Sequence, residues 1–388
     1  MSLRLVEGQL DYLAEHGWDV HVGAGSARYS PNVRDSAFTL HPLPLSRSIR
    51  PIRDTSAFLS LLRLCRRLRP SVVHASTPKA GLLGTLAAWV MRVPVRVYVV
   101  RGLRFETAAG LARPLMLCAE WITCRCATHV VCVSPSVRHV LVSSRLAPEG
   151  KAHVLARGSG NGVSLDWFMD EHSRARLRAL TRRDLGIADN AFVIGFVGRI
   201  TPDKGFCELY EAWRTVRRRH PRAHLIVVGP VEAGDSAIRR AVALLRSDPR
   251  AHLTGTEWNP VRYYAAMDIL CLPSRREGLP NVVLEAAAMH VPSVVTAATG
   301  CTDAVIPNVT GVIVHSGSPD ALAHAIAGYL VDGDKRKAHG RAACERAVSD
   351  FSQQRVWSAL SEFLTAAAAS VAWPRRRTYQ PAEKRSAT

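Results

Sequence analysis

Short apolar runs alternate with amphipathic stretches along most of this sequence, and this alternation constrains the fold more than any other feature. Runs such as VRVYVV (95–100), FVIGFVG (192–198) and DILCLP (268–273) are almost continuously apolar, unlike strands with one exposed face. Strands of this kind are buried on both faces, and the helices between them supply the cover. The pattern therefore predicts an α/β protein with parallel sheets and helices on both sides.

The alternation occurs twice, and a charged stretch separates the two series. It lapses from about Val163 to Gly186, which predicts an interdomain linker with a short helix. At 388 residues the chain is also long for a single core. We therefore predict two doubly wound, Rossmann-like domains that face each other across a cleft. The predicted divisions are a first domain over 1–170, a second over 187–350, a closing helix over 351–370 and a disordered basic tail over 371–388.

The beginning of the chain departs from the doubly wound pattern. Such a domain opens with a central strand and a glycine-containing turn, whereas this sequence opens directly in a helix, SLRLVEGQLDYLAEHG (2–17). Without that strand, two later strands would face a gap with unpaired backbone groups, each costing about 1 to 3 kcal/mol if buried. The resulting hypothesis is that the reading frame begins upstream or that the gene is truncated, which predicts a poorly soluble or inactive chain.

The formal net charge of +19 indicates anionic partners, such as nucleic acid, acidic lipid or phosphorylated small molecules. The positive excess is spread along the sequence and shows no zinc-finger spacing, RNA-binding aromatic pattern or basic zipper, which argues against nucleic acid. No apolar run reaches the roughly 20 uncharged residues that span a bilayer. The nine cysteines contain no CxxC pair and predict reduced thiols in a cytoplasmic protein.

Two glutamates lie eight positions apart in SRREGLPNVVLEA (274–286). The pattern predicts that Glu277 lies in a loop after a strand and Glu285 in the helix that follows. Amides from Leu279 to Val282 would face an anion at the start of that helix, although Pro280 has no N–H to donate. Because a carboxylate accepts two hydroxyl donors at once, Glu277 suits a sugar and Glu285 a ribose diol. The alternative is a pair of solvated charges.

A second motif, FVGRITPDKG (196–205), follows the first strand of the second half. Gly198 allows a tight backbone turn, and Arg199 and Lys204 follow in the same loop. Two cations after a strand end can clamp a diphosphate, and the guanidinium can do so with two parallel hydrogen bonds. The alternative for this stretch is ordinary surface charge in a loop.

Together, FVGRITPDKG, SRREGLPNVVLEAAAMHVPSVVTAATG and TGVIV resemble the retaining family-4 glycosyltransferases, which have the GT-B fold. VHASTPKAGLLGTLAA and VVCVSPS in the first half are similar to members that build bacterial surface polysaccharides. The resemblance covers residues 3–368 and implies that Arg199 and Lys204 bind the donor diphosphate, with all three of Glu277, Arg199 and Lys204 contributing to catalysis. It also implies that Glu285 holds the ribose and Glu277 the transferred sugar. The implied donor-binding set is Gly198, Arg199, Lys204, Glu277, Gly278, Leu279, Pro280, Asn281 and Glu285.

The resemblance further implies retention of the anomeric configuration by front-face displacement, without a metal or another cofactor. Family members often place a histidine where this chain has Arg101, which can serve a phosphate but cannot transfer a proton. His74 and Lys79 are further candidates on the acceptor side. Asp332-Gly333-Asp334 spells DxD, the metal motif of a different glycosyltransferase fold, but its place between helices predicts a turn.

We therefore expect a glycosyltransferase that takes a nucleotide sugar, expected to be a UDP-sugar, and a lipid-diphosphate-linked glycan acceptor at the cytoplasmic face of the membrane. Four arginines within one predicted helix, Arg63, Arg66, Arg67 and Arg69, predict salt-sensitive peripheral binding to an anionic leaflet at about 1 kcal/mol each. A sugar-nucleotide epimerase of similar fold and a basic nucleic-acid-binding protein are the alternatives. The epimerase would need acid–base side chains over the sugar, which the sequence does not identify.

Overall fold

The computed structural model describes residues 6, 8–25, 37–46, 48, 50–232 and 234–371. Residues 372–388 of the predicted basic tail and residues 1–5 and 7 of the opening segment lie outside the described residues. The hypothesis about the reading frame therefore stays a prediction.

The first half alternates strands and helices, as the sequence predicts. Its helices are α1 (Gln9–Glu15), α2 (Pro51–Leu68), α3 (Pro78–Val90), α4 (Ala112–Cys126) and α5 (Pro135–Ser143). Its strands are β1 (His21–Gly25), β2 (Thr39–Leu43), β3 (Val72–Ser76), β4 (Val95–Val100), β5 (His129–Cys132) and β6 (Ala152–His153). All of the strand pairs are parallel, which fits strands that are joined through crossover helices.

The strands of the first half form two separate sheets. One contains β1 and β2, and the other has the order β3-β4-β5-β6. Among the described residues, β1 and β3 are each paired along one edge alone.

The second half is a doubly wound domain with one six-stranded sheet. Its helices are α6 (Glu171–Asp184), α7 (Phe206–Arg219), α8 (Ser236–Arg246), α9 (Val261–Ala266), α10 (Asn281–Ala288), α11 (Cys301–Ala304), α12 (Pro319–Val331) and α13 (Gly333–Phe351). The last helix, α14 (Gln353–Ala369), returns to pack against α1 of the first half. The strands of the second half are β7 (Phe192–Val197), β8 (Ala223–Val228), β9 (Ala251–Gly255), β10 (Ile269–Leu272), β11 (Ser293–Thr296) and β12 (Gly311–Val314). The strands are parallel and lie in the order β12-β11-β10-β7-β8-β9. Successive strands of the chain are added on one side of β7 up to β9 and then on its other side from β10 to β12. The switch point between β7 and β10 is where such sheets bind ligands.

Helix α6, which the sequence predicts as a short linker helix, is fastened to the second domain. Arg182 is fully buried and donates to the Asp268 carboxylate over 2.8 Å and to the carbonyl oxygen of Ala191 over 2.9 Å. Arg178, one turn earlier, donates to the other Asp268 oxygen over 2.8 Å. Charge-assisted bonds from two arginines satisfy a buried carboxylate, so α6 is fixed against the edge of the second core.

Three elements differ from the sequence-based expectation. The sequence pattern WDVHV (18–22) predicts a strand there, whereas β1 (His21–Gly25) lies a few residues later. The apolar pattern does not predict β2, which contains Pro42 and, among the described residues, pairs with β1 alone. Nor does it predict α13, whose buried face consists mostly of small residues, so that large apolar side chains do not mark a helical period. In the described part of the chain, no helix combines the length and apolarity needed to cross a membrane.

Candidate active site

Two loops of the second domain meet at the switch point of its sheet. The loop after β7 carries Arg199 and Lys204, and the loop after β10 carries Glu277 and leads into α10, which carries Glu285. Because β7 and β10 are neighbouring parallel strands, their carboxyl ends deliver both loops to the same edge. The structure thus brings the two sequence motifs together.

Lys204 and Glu277 form an ion pair between these loops. The Lys204 ammonium is bonded to Oε1 of Glu277, and the Ser274 hydroxyl donates to the same oxygen over 2.7 Å. The Glu277 amide donates to the carbonyl oxygen of Thr299 over 2.9 Å. Both charged side chains are largely buried, at 17% and 13% exposure, so each orients the other.

Arg199 is held by carboxylates of the second domain. Its Nη1 donates to the Glu232 carboxylate over 2.6 Å, and its Nη2 lies 3.8 Å from the Asp203 carboxylate. Gly198, at the end of β7, has a φ of 151°, a conformation that a residue with a side chain rarely adopts. This turn directs the residues that follow it across the edge of the sheet.

Glu285 is bonded to a tyrosine that the sequence analysis did not identify. The Tyr264 hydroxyl donates to the Glu285 carboxylate over 2.7 Å, and Tyr264 itself is fully buried on α9. Burial raises the pKa of Glu285, whereas the hydrogen bond from Tyr264 lowers it. In the sequence, the only indication of this contact was the general rule that a buried tyrosine hydroxyl needs a polar partner.

The helix after Glu277 begins as the motif predicts. Pro280 precedes α10, which starts at Asn281, and Leu279 is 8% exposed. Glycine is required at 278 because a Cβ there would lie 2.3 Å from the carbonyl oxygen of Arg101 in the first domain. The Glu277 loop therefore touches the loop after β4 directly.

On the side of the first domain, the structure separates the three acceptor-side candidates into two groups. Arg101 donates to the carbonyl oxygen of Gly160 over 3.3 Å, and burial lowers its pKa to about 10. Burial, and then the charge of Arg101, lowers the pKa of His74 to about 4, so this imidazole is neutral at pH 7. Lys79 is instead bonded to Asp54 on α2 over 2.7 Å.

The domains are joined by polar contacts that the sequence analysis missed. The Thr299 hydroxyl donates to the Glu106 carboxylate over 2.5 Å, and Arg276 donates to the Thr107 hydroxyl over 2.6 Å. Burial raises the pKa of Glu106. These contacts lie directly beside Glu277, and no local pattern could have revealed residues so far apart in sequence.

A second interdomain contact lies at the start of α5. The Ser136 hydroxyl accepts from the Gly300 amide over 2.7 Å and donates to the Asp303 carboxylate, which also accepts from the Ser136 amide over 3.1 Å. A carboxylate at a helix N-terminus is favoured by the helix dipole. Asp303 of the second domain therefore binds the first turn of a first-domain helix.

The DxD triplet lies away from this edge. Asp332 is the single residue between α12 and α13, and it caps α13 by accepting from the Lys335 amide over 2.8 Å. Gly333 and Asp334 lie in the first turn of α13, so the predicted turn is confined to Asp332. Across the described ranges, no cluster of three or more His, Cys, Asp or Glu side chains is placed to hold a metal. The expected independence from a metal remains a prediction.

Comparisons with known proteins agree with this architecture. A family model described as "Glycosyl transferase 4-like domain" matches residues 4–158, and one described as "Glycosyl transferases group 1" matches residues 191–332. The capsular polysaccharide biosynthesis glycosyltransferase CapM of Staphylococcus aureus is 32% identical over 92% of this chain and 93% of its own length. The chain belongs to the family-4, group 1 glycosyltransferases. The epimerase and nucleic-acid alternatives are therefore set aside.

More distant relatives extend the comparison. This glycosyltransferase is 25% identical to UDP-Gal:alpha-D-GlcNAc-diphosphoundecaprenol alpha-1,3-galactosyltransferase of Escherichia coli, over 73% of this chain and 72% of that protein. Anabaena HepE, solved with UDP and glucose, aligns with a TM-score of 0.77 at 20% identity over 93% of this chain and 96% of HepE. Sucrose-phosphate synthase from Thermosynechococcus elongatus aligns with a TM-score of 0.80 at 20% identity over 96% and 94%. The fold of the glycosyltransferase is GT-B.

Proposed function

We propose that this glycosyltransferase transfers a sugar from a UDP-sugar to a lipid-diphosphate-linked glycan, as one step in the synthesis of a surface polysaccharide. The observation that carries the proposal is the meeting of Lys204 and Glu277 at the switch point of the second sheet. The names of the relatives are consistent with it, because CapM belongs to capsule synthesis and the Escherichia coli enzyme uses UDP-Gal and a diphosphoundecaprenol-linked acceptor. HepE structures contain UDP and UDP-glucose.

In this proposal the donor lies over the start of α10. Arg199 and Lys204 bind its diphosphate, and the amides around Gly278, Leu279 and Asn281 complete the anion site. Glu285, oriented by Tyr264, accepts the ribose hydroxyls. Glu277 then binds the sugar that is transferred, and its present bond to Lys204 is exchanged for one to a sugar hydroxyl.

Transfer in this site retains the anomeric configuration and needs no metal. The bond from the anomeric carbon to the phosphate oxygen breaks, and the acceptor oxygen bonds to the same face of that carbon. The departing phosphate oxygen takes the proton of the acceptor hydroxyl. Arg199 and Lys204 stabilise the negative charge that develops on the phosphate, which is the main catalytic contribution of the protein. Arg101 supports the phosphate, because a buried guanidinium remains charged at neutral pH.

A thermal-shift screen of nucleotides and nucleotide sugars, with and without EDTA, tests the proposal. A nucleotide at 100 times its dissociation constant should stabilise the protein by about 2.7 kcal/mol. We expect UDP and one UDP-sugar to stabilise it, with no change on adding EDTA. Stabilisation by another nucleotide alone, or loss of the shift with EDTA, would contradict the donor or the metal-independence, respectively.

A further inference from the structure

Arg276 contacts both domains, although neither sequence motif assigns it a role. It directly precedes Glu277 in the loop after β10, and its side chain is 20% exposed. Its Nε donates to the Thr107 hydroxyl of the first domain over 2.6 Å, and its Nη2 donates to the Asp203 carboxylate over 3.1 Å. Because a guanidinium presents several donors in a fixed plane, one side chain joins the first domain to the loop after β7.

The Asp203 carboxylate lies between two arginines. The oxygen that accepts from Arg276, Oδ2, also lies 3.8 Å from Nη2 of Arg199. A separation of 3.8 Å is too long for a hydrogen bond, whereas the separation from Arg276 is within the usual range. Arg276 therefore binds the carboxylate directly, and Arg199 has only a longer-range contact with it.

The position of Asp203 matters for any anion bound in this loop. A diphosphate held by Arg199 and Lys204 carries negative charge close to the Asp203 carboxylate, which is 25% exposed. Like charges at close range in a partly buried site repel each other, and a cation paired with one of them offsets the repulsion. Because Arg276 pairs with Asp203, the carboxylate neither neutralises Arg199 nor repels the anion.

The Thr107 contact ties the same side chain to the first domain. Thr107 lies in the loop after β4 and follows Glu106, which accepts from the Thr299 hydroxyl of the second domain over 2.5 Å. Burial raises the pKa of Glu106, whereas the bond from Thr299 and then the charge of Arg276 lower it. The guanidinium thus interacts with two neighbouring residues of the first domain, directly beside Glu277.

We propose that Arg276 is a positioning residue with two separable roles in sugar transfer. Through Asp203 it keeps Arg199 available for the donor diphosphate, and through Thr107 it fixes the first domain, and with it the acceptor, against the donor. The inference rests on the proposed function, because both roles concern a bound nucleotide sugar. Since the two contacts use different nitrogens, removal of one partner should impair one role and leave the other.

Calorimetric titration with UDP tests the first role. Arg276→Gln should weaken UDP binding by about tenfold, because the Asp203 carboxylate loses its cation and then opposes the diphosphate. Asp203→Asn in the Arg276→Gln background should restore the affinity to within about threefold of the parent, since the uncompensated charge is gone. Arg214→Gln is the matched control, because Arg214 forms an exposed ion pair within α7, and it should bind UDP like the parent.

Turnover of the UDP-sugar that stabilises the parent, with a lipid-diphosphate-linked sugar as acceptor, tests the second role. Thr107→Val keeps the side-chain size but cannot accept the hydrogen bond. Its kcat should fall at least about fivefold, while its affinity for UDP stays within about twofold of the parent. The same change in the Arg276→Gln background should have no further effect, because the bond is already absent. Thr55→Val, which removes a hydroxyl bonded within α2, is the control and should turn over like the parent.

Three results would overturn the inference. One is UDP affinity in Arg276→Gln equal to that of the parent, and another is no recovery of affinity with Asp203→Asn. A third is a loss of turnover in the Thr107→Val/Arg276→Gln double variant equal to the product of the single losses, which would show that the two residues act independently. A parent that binds no UDP would instead contradict the proposed donor. A parent that binds UDP but transfers no sugar would contradict the proposed acceptor, and calorimetry would then decide the inference alone.

Discussion

Glu120 is a carboxyl group buried inside the first domain, and its replacement by glutamine should change how stability depends on pH. It lies on the inner side of α4 with 8% exposure and accepts a hydrogen bond from the Tyr98 hydroxyl over 2.9 Å. Burial raises its pKa from 4.5 to about 7, although the bond from Tyr98 acts in the opposite direction. The folded protein therefore retains a proton at pH values where the unfolded chain has lost it.

The sign and size of the effect follow from linkage. Because the unfolded chain binds fewer protons here, the free energy of unfolding falls as pH rises from about 4.5 to about 7 and then levels off. For a pKa that moves from 4.5 to about 7, the loss between about pH 5 and about pH 8 is about 2.5 kcal/mol. Glu120→Gln removes the titrating group, and this component of the pH dependence should disappear.

Urea unfolding of the parent and Glu120→Gln at both pH values measures the effect. Subtracting the change in the free energy of unfolding of Glu120→Gln from that of the parent removes the contribution of other groups that titrate in the same pH range. Tyr98→Phe is the second variant, and it should steepen the fall because it removes the bond that lowers the pKa of Glu120. The same pH dependence in the parent and Glu120→Gln would refute the reasoning.

Two further predictions concern the packing around the site. Arg182→Ala should lower the free energy of unfolding by about 3 to 5 kcal/mol, because it breaks a buried ion pair. Arg214→Ala breaks an exposed ion pair and should lower it by under about 1 kcal/mol. Urea unfolding measures both changes. Gly278→Ala should slow donor turnover at least about tenfold, since its Cβ would lie 2.3 Å from the Arg101 carbonyl oxygen. Gly328→Ala, whose Cβ would meet no atom within 4 Å apart from its chain neighbours and its own helix backbone, is the control, and equal turnover in both variants would contradict the contact argument.

The elements that position the site were predictable because their signals are local. Continuous apolar runs predicted β7 and β10, and the loops after them carry Lys204 and Glu277 as expected. The loop-to-helix transition around Pro280 was likewise evident from the sequence. By contrast, α13 was missed because Gly340, Ala343 and Ala347 on its buried face allow close packing without large side chains.

The contacts within the site were not predictable, because they depend on tertiary structure. Lys204 and Glu277 are 73 positions apart in the sequence and form an ion pair in the structure. Each motif alone predicted a side chain that binds substrate and did not indicate that the two side chains bind each other. Thr299 and Glu106 come from different domains. Lys79 resembled a site residue by its place after β3, but the sequence could not show that Asp54 on α2 would bind it.

The ion pair between Lys204 and Glu277 allows the most direct test of the donor site. Calorimetric titration of UDP into the parent, Lys204→Ala and Glu277→Gln measures the two roles separately. Lys204→Ala should weaken UDP binding by about 1.5 to 3 kcal/mol, because a hydrogen bond to a charged group is lost. Glu277→Gln should bind UDP at least as tightly as the parent, since Lys204 is released from its partner, while donor turnover collapses. UDP binding that is unchanged in Lys204→Ala, or weakened in Glu277→Gln with turnover intact, would contradict the account.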